Sequence, residues 1–310
     1  GYSSAASDVY KRQGQDCAQY ALGKIYRDGQ GVEKDIQKAV ALFTLAATKE
    51  NSFAAFALGK LYLAGDAALP RDPAAALKWL TYAAELGNQF AQYRLGKLLL
   101  KGDDGIPKDV ITAIRWLTAA AKQENGYAEY ALALVYLTGE DAPKDSVKAL
   151  SLLKRSAGRG NQFAQYRLGK LLLQGEDAPK DVKAAIRWLT AAAEQGNQYA
   201  QYALGMLYLL GKEVPKDRSS AIKWFQLAAD QGNEYAQYFL KHMDDRLGQP
   251  PVAAVISLFH HLANIFQEQN QPPPSGGVRV AVDRKLLRKI KAKKIAQGHK
   301  ADDHEPEMQL

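Results

Sequence analysis

The chain has 310 residues, 41 Lys/Arg against 33 Asp/Glu, a formal net charge of +8 and 47% hydrophobic content, enough to bury a large core. No apolar run approaches the ~20 residues a membrane-crossing helix needs. A single cysteine, Cys17, excludes an internal disulfide framework and favours a reducing, cytoplasmic compartment.

The chain does not begin with Met, and Asp8 to Gln13 (DVYKRQ) matches what the end of a common sequencing-library transposon encodes in one frame. Residues 1–13 are therefore set aside as an artefactual or disordered end, with the natural chain extending upstream.

From Gly14 a block of 36–37 residues recurs six times and begins a seventh, up to Asp245. Its cleanest copy runs from Asn197 to Gly232. Each block predicts two helices. In the first, apolar residues such as Ala91, Leu95, Leu98 and Leu99 recur at steps of three and four, one buried helical face. A mid-helix glycine returns at Gly23, Gly59, Gly96, Gly169 and Gly205, with Ala133 in the fourth copy. Each costs roughly 1 kcal/mol against alanine, so the pattern calls for a neighbouring helix that packs very close. A second glycine, for example Gly65 or Gly102, stops the first helix. An Asp at 35, 72, 109, 145, 181 or 217 then stands where it caps the next one. Trp79, Trp116, Trp188 and Trp224 share one position in the second helix, where the first copy has Leu42 and the fourth Leu152. Gly-Asn at 87, 160, 196 and 232 closes a block and caps the next. Self-similarity at this period predicts an all-α, right-handed solenoid of tandem helix–turn–helix units, each burying its apolar face on its neighbours.

These blocks resemble the Sel-one-like repeat family, a tetratricopeptide-like group. The shared residues run from a small residue through Leu-Gly and Tyr to Gly. A Val/Pro-x-Asp helix start, Lys-Ala, Trp and Ala-Ala-x-x-Gly follow. The first copy reads AQYALGKIYRDGQGVEKDIQKAVALFTLAA, and the likeness extends from Ala18 to about Met243. A curved helical stack offers an extended concave surface lined by the first helix of each pair, and the leading expectation is a protein-interaction scaffold. Asn88–Leu100 is identical to Asn161–Leu173, and Ile114–Ala121 to Ile186–Ala193, as duplication of a two-repeat unit produces.

After Asp245 the pattern changes. Residues 246–270 contain an apolar-faced helix, Val252 to Gln267, that suits a cap for the array. Residues 271–310 are a linker (Gln271 to Gly277) and a tail, expected to be disordered when free. The charge excess is local. Gly14 to Asp245 holds 29 Lys/Arg against 26 Asp/Glu, whereas Val278 to Lys300 holds nine against one. Arg284, Lys285, Arg288, Lys289, Lys291, Lys293 and Lys294 form a run that suits DNA or another polyanion, or stays a solvated end. This segment resembles the extreme C-terminus of MobA/MobL-type mobilisation relaxases. That likeness implies an alternative context, the accessory end of a DNA-processing protein of a plasmid or conjugative element.

No catalytic constellation stands out. All five histidines, His242 to His304, lie beyond the sixth repeat, and the glycines sit in repeat register rather than in a phosphate loop. Nothing calls for a cofactor or a metal, and the chain is expected to be non-catalytic. The candidate site is a stripe on the first helices: Tyr20 with Lys24, Phe56 with Lys60, Tyr93 with Lys97, Tyr166 with Lys170, and Tyr202 with Met206. The step of four puts each pair on one face. A ring beside a cation on a concave surface suits a peptide or protein partner bearing carboxylates. The other reading is that these rings pack between repeats and the lysines are only solvated.

Overall fold

A computed structural model describes the backbone of residues 2–102 and 105–242, with side chains from residue 15 onward except at 103, 104 and 242. These residues fall in one compact unit. They build thirteen helices: α1 (Tyr2–Asp28), α2 (Ile36–Ala47), α3 (Ser52–Ala64), α4 (Pro73–Glu85), α5 (Gln89–Lys101), α6 (Val110–Lys122), α7 (Gly126–Thr138), α8 (Ser146–Gly158), α9 (Gln162–Gln174), α10 (Val182–Glu194), α11 (Gln198–Leu210), α12 (Arg218–Asp230) and α13 (Glu234–His242). α1 takes in the residues that the sequence sets aside as an end. The capping helix expected within 246–270 and the tail from 271 lie outside the described residues.

Each helix packs chiefly on the next in the chain. The odd-numbered helices are the first of each pair and the even-numbered ones the second, so the unit is a solenoid of paired helices. The predicted caps hold it in register. Asp35, Asp72, Asp109, Asp145, Asp181 and Asp217 each accept a bond at 2.9–3.1 Å from the amide three residues on. The backbone amide of the same Asp donates to a carbonyl near the end of the preceding helix, as Asp72 does to Tyr62 at 2.9 Å. The Asp thus fixes both where the second helix starts and how it folds back. Asn51, Asn88, Asn125, Asn161 and Asn197 cap the first helices in the same way.

The core runs between the helices of each pair and on into the next. Leu58, Leu80, Leu95, Leu117, Leu153, Leu168, Leu189 and Leu204 are all about 1% exposed or less. Each such side chain contributes roughly 1.5–3 kcal/mol on burial. The mid-helix glycines meet mainly a side chain rather than a bare backbone. A Cβ at Gly96 would lie 2.6 Å from Leu117 Cγ and 3.0 Å from the Ala113 carbonyl; at Gly205 it would lie 2.6 Å from the Phe225 ring.

A polar ladder invisible to apolar periodicity ties the repeats together. Gln92 on α5 donates to the Ala84 carbonyl of α4 at 3.0 Å, and Gln123 donates to Gln92 Oε1 at 2.9 Å. Gln165 with Gln195, and Gln201 with Gln231, repeat the arrangement. In α7 the place belongs to Glu129, which is fully buried. Arg155 stands 2.6 Å and Arg159 3.3 Å from its carboxylate. Each Gln adds a second bond to a carbonyl at the end of a helix that already accepts the amide of the glycine in the turn, as Ala84 does from Gly87.

Candidate surface on the first helices

The stripe expected from the sequence lies on α1, α3, α5, α9 and α11, and its rings do two things at once. Tyr20, Phe56, Tyr93 and Tyr166 are half-buried, and Tyr202 is 7% exposed. Each touches a ring of the next repeat: Tyr20 with Phe53, Phe56 with Phe90, Tyr93 with Tyr127, Tyr166 with Tyr199, and Tyr202 with Tyr235, at 5.9–6.4 Å between centroids. Packing between repeats is therefore one role of these rings.

The second ring of every pair was missed by reading the stripe at steps of four. Phe53, Phe90, Phe163 and Tyr199 stand three residues before the stripe aromatics, and Tyr127 and Tyr235 hold the same place before Tyr130 and Tyr238; that recurrence was the available signal. Tyr130, on α7, continues the row; its ring meets Phe163 at 6.4 Å. Phe53, Phe90, Tyr127, Phe163 and Tyr235 remain 37–55% exposed, so a row of aromatic surface crosses the first helices. Exposed apolar surface that recurs from repeat to repeat marks an interaction surface where singly scattered side chains would not.

The cations differ from one repeat to the next. Lys24 and Lys60 are exposed, each 5.7–5.8 Å above its own ring. Lys97 and Lys170 are half-buried. Burial, with Arg94 and Lys101 adding to it, pushes the Lys97 ammonium below its usual range. Burial and Arg167 push Lys170 down to about 8, with Glu176 acting the other way. Lys170 is thus not merely solvated. Met206, which replaces a cation on α11, is buried.

Arg94 and Arg167 are further residues that the sequence reading did not single out. They stand three residues before Lys97 and Lys170, on the same two helices; α3, α7 and α11 carry Ala57, Ala131 and Ala203 there. Arg94 is exposed, and Arg167 is half-buried with its Nε enclosed and lacking a hydrogen-bond partner among the described residues. The buried hydroxyl of Tyr202 also lacks one. Burial raises the hydroxyls of Tyr93, Tyr130, Tyr166 and Tyr202 above their usual range, and Tyr130 and Tyr166 lie close enough to Arg167 to feel its charge.

The second helices carry half-buried Trp79, Trp116 and Trp224, with Lys78, Arg115 and Lys223 placed 5.2–6.0 Å from their rings. Ion pairs cross between the connecting loops, Lys34 to Asp66, Lys108 to Asp141, Lys144 to Asp177 and Lys180 to Glu213, at 2.6–2.8 Å. Among the described residues no group of three or more His, Cys, Asp or Glu is placed to hold a metal ion, and no helix is long and apolar enough to cross a membrane. Arg284, Lys285, Arg288, Lys289, Lys291, Lys293 and Lys294 lie outside the described residues.

Helix pairs, paired caps and a shared small-residue seam define the class: a tandem helix–turn–helix repeat solenoid. The chain belongs to the Sel1 repeat family, whose model matches residues 18–51, 52–88, 89–125, 126–161, 162–197 and 198–233. Among solved structures it is similar to c5321, a protective antigen of uropathogenic Escherichia coli with an SLR fold. The identity is 28% and the TM-score 0.68, over 93% of this chain and 55% of that one. It is also similar to a Sel1 repeat protein from Oxalobacter formigenes, with 34% identity and a TM-score of 0.68, over 74% of this chain and 66% of that one. The chain thus spans a little over half and about two thirds of these two. No curated protein matches it. Neither the family match nor these structures supports the likeness of the tail to relaxases.

Proposed function

We propose that the protein is a protein-interaction scaffold that binds a peptide or protein segment along the surface of its first helices. The observation that carries this reading is the row of half-exposed rings, Phe53, Phe90, Tyr127 and Phe163, running across successive repeats beside Lys60, Lys97 and Lys170. First helices of adjacent repeats approach one another, α5 against α7, and their rings meet along the series, which supports this as the concave side of the stack. Such a surface is continuous over many repeats and suits an extended ligand. Rigid rings supply contact area at low entropic cost.

The experiment compares two surfaces of one full-length chain by titrating a purified binding partner, once one is in hand. A first-helix variant carries Phe90→Ser, Tyr127→Ser and Phe163→Ser, and a second-helix variant carries Lys78→Ser, Arg115→Ser and Lys223→Ser. Loss of affinity in the first alone, about tenfold or more, is the expected result. Loss in the second alone would move the docking surface to the tryptophan side and overturn the reading.

A further inference from the structure

Building on the scaffold reading, the geometry points to a bipartite ligand. We propose that the first-helix surface takes an extended peptide segment with two acidic stations about six residues apart, separated by uncharged residues. One station meets Arg94 and Lys97 on α5, and the other meets Arg167 and Lys170 on α9.

The spacing follows from which repeats carry an Arg and a Lys together; α1 and α3 carry Lys24 and Lys60 without the Arg. α5 and α9 each present an Arg and a Lys at equivalent places, while α7 between them presents Ala131 and Leu134 there. Helices in contact stand 8–10 Å apart. α5 touches α7 directly, and the Tyr93–Tyr127 and Tyr130–Phe163 ring pairs carry the same layering on to α9. The two stations are therefore about 20 Å apart, and an extended chain at about 3.3 Å per residue covers that in about six residues. The layer between is aromatic and aliphatic, lined by Tyr127 and Tyr130, so it favours apolar residues between the acids.

The chemistry of the stations selects carboxylates. Arg167 has an enclosed Nε with no hydrogen-bond partner among the described residues. Lys97 faces Arg94 and Lys101, and no carboxylate pairs with it among the described residues. Lys97, a half-buried cation among other cations, gains most from an anion that replaces the water it has lost, whereas Lys170 and Arg167 already feel Glu176 and Asp177, respectively. A nucleic acid fits worse, because it carries a charge at every nucleotide and would hold phosphates over the uncharged α7 layer.

The test uses the full chain and fluorescence anisotropy with synthetic peptides. In the spaced peptide two Glu-Glu pairs stand about six residues apart with Ala, Leu and Ser between them. Its isomer has the same composition with the four Glu contiguous, and a thymidine oligonucleotide of equal charge is the third probe. The spaced peptide is expected to bind about tenfold more tightly than its isomer. Lys97→Gln or Lys170→Gln should each erase that preference while the helical circular dichroism spectrum stays unchanged. Equal affinity for the two isomers, lost on either Lys→Gln change, would overturn the spacing yet leave the first-helix surface as the docking site. A preference that survives both changes would place the stations elsewhere. Tighter binding of the oligonucleotide, or no binding of any peptide, would overturn the acidic-peptide proposal; the Phe90, Tyr127 and Phe163 variants test the scaffold reading independently of it.

Discussion

Burial within α9, with the Arg167 charge beside it, holds the Lys170 ammonium near 8, while Glu176 pulls weakly the other way. In the unfolded chain the same group titrates at about 10.4. The unfolded state therefore binds more protons between those two values, and stability rises with pH across that window. The charge is a cost to folding below about 8 and none above the unfolded value. Replacing the ammonium by an uncharged stem, Lys170→Met, should therefore raise the melting temperature at pH 7, with the gain gone by pH 10.5. On the proposed reading the same proton also governs capture of an acidic peptide. Burial pushes the neighbouring Tyr166 hydroxyl above this range. Affinity for an acidic peptide should thus fall between pH 7 and 9, steepest near 8, and Lys170→Met should flatten that profile. A wild-type profile already flat across this range would count against Lys170 as a binding group. A residue held at a cost to folding is what a binding surface needs and a packing seam does not.

Between helices, the seam of small residues sets how close a pair can stand. A Cβ at Gly169 would lie 2.8 Å from Leu189 Cγ and 3.0 Å from the Ala185 carbonyl. The second contact is backbone and cannot rotate away. Gly169→Ala gains roughly 1 kcal/mol in helix propensity but overpacks the seam, at a typical cost of 1–3 kcal/mol. The variant should come out about 1 kcal/mol less stable by urea denaturation; a stabilised variant would show that the seam relaxes freely. Ala133 on α7 occupies the same place and is fully buried, so the α7–α8 pair has already made room for the methyl. Ala133→Gly should therefore also destabilise, by about 1 kcal/mol from helix propensity alone. The glycines were legible in the sequence because their period is strict. That they face a leucine or phenylalanine tip, with a carbonyl behind it only in some pairs, was not, because the partner lies about twenty residues away on another helix. The glutamine ladder was illegible for the same reason. Gln92, Gln165 and Gln201 recur in register, but only the fold shows each one reaching an Ala carbonyl of the preceding helix.

As a whole molecule, a solenoid is stabilised by nearest neighbours, so its length can change without changing its plan. The duplicated stretch offers a direct check. Excising residues 88–160 joins Gly87 to Asn161, and the sequence that follows is the one that originally followed Gly87, Asn88–Leu100 being identical to Asn161–Leu173. The shortened chain should fold, with helical signal per residue unchanged and a denaturant slope lower by about a third, in proportion to the surface removed. It should also lose the preference for spaced acidic peptides, since one of the two stations leaves with α5. Failure to fold would mean that contacts beyond adjacent repeats matter. By itself the sequence determined the helices, their caps, the period and the solenoid. Each of these rests on residues near one another in the chain, such as Asp72 capping its own helix, and repetition reports them six times over. Only the tertiary structure decided what the stripe is made of. It joined Tyr93 to Tyr127 and Tyr130 to Phe163 across repeats, buried Tyr202 and Met206, and left Lys97 and Lys170 half in water. Those outcomes depend on how one repeat lies against the next, and side-chain burial is a property of that contact rather than of either repeat alone.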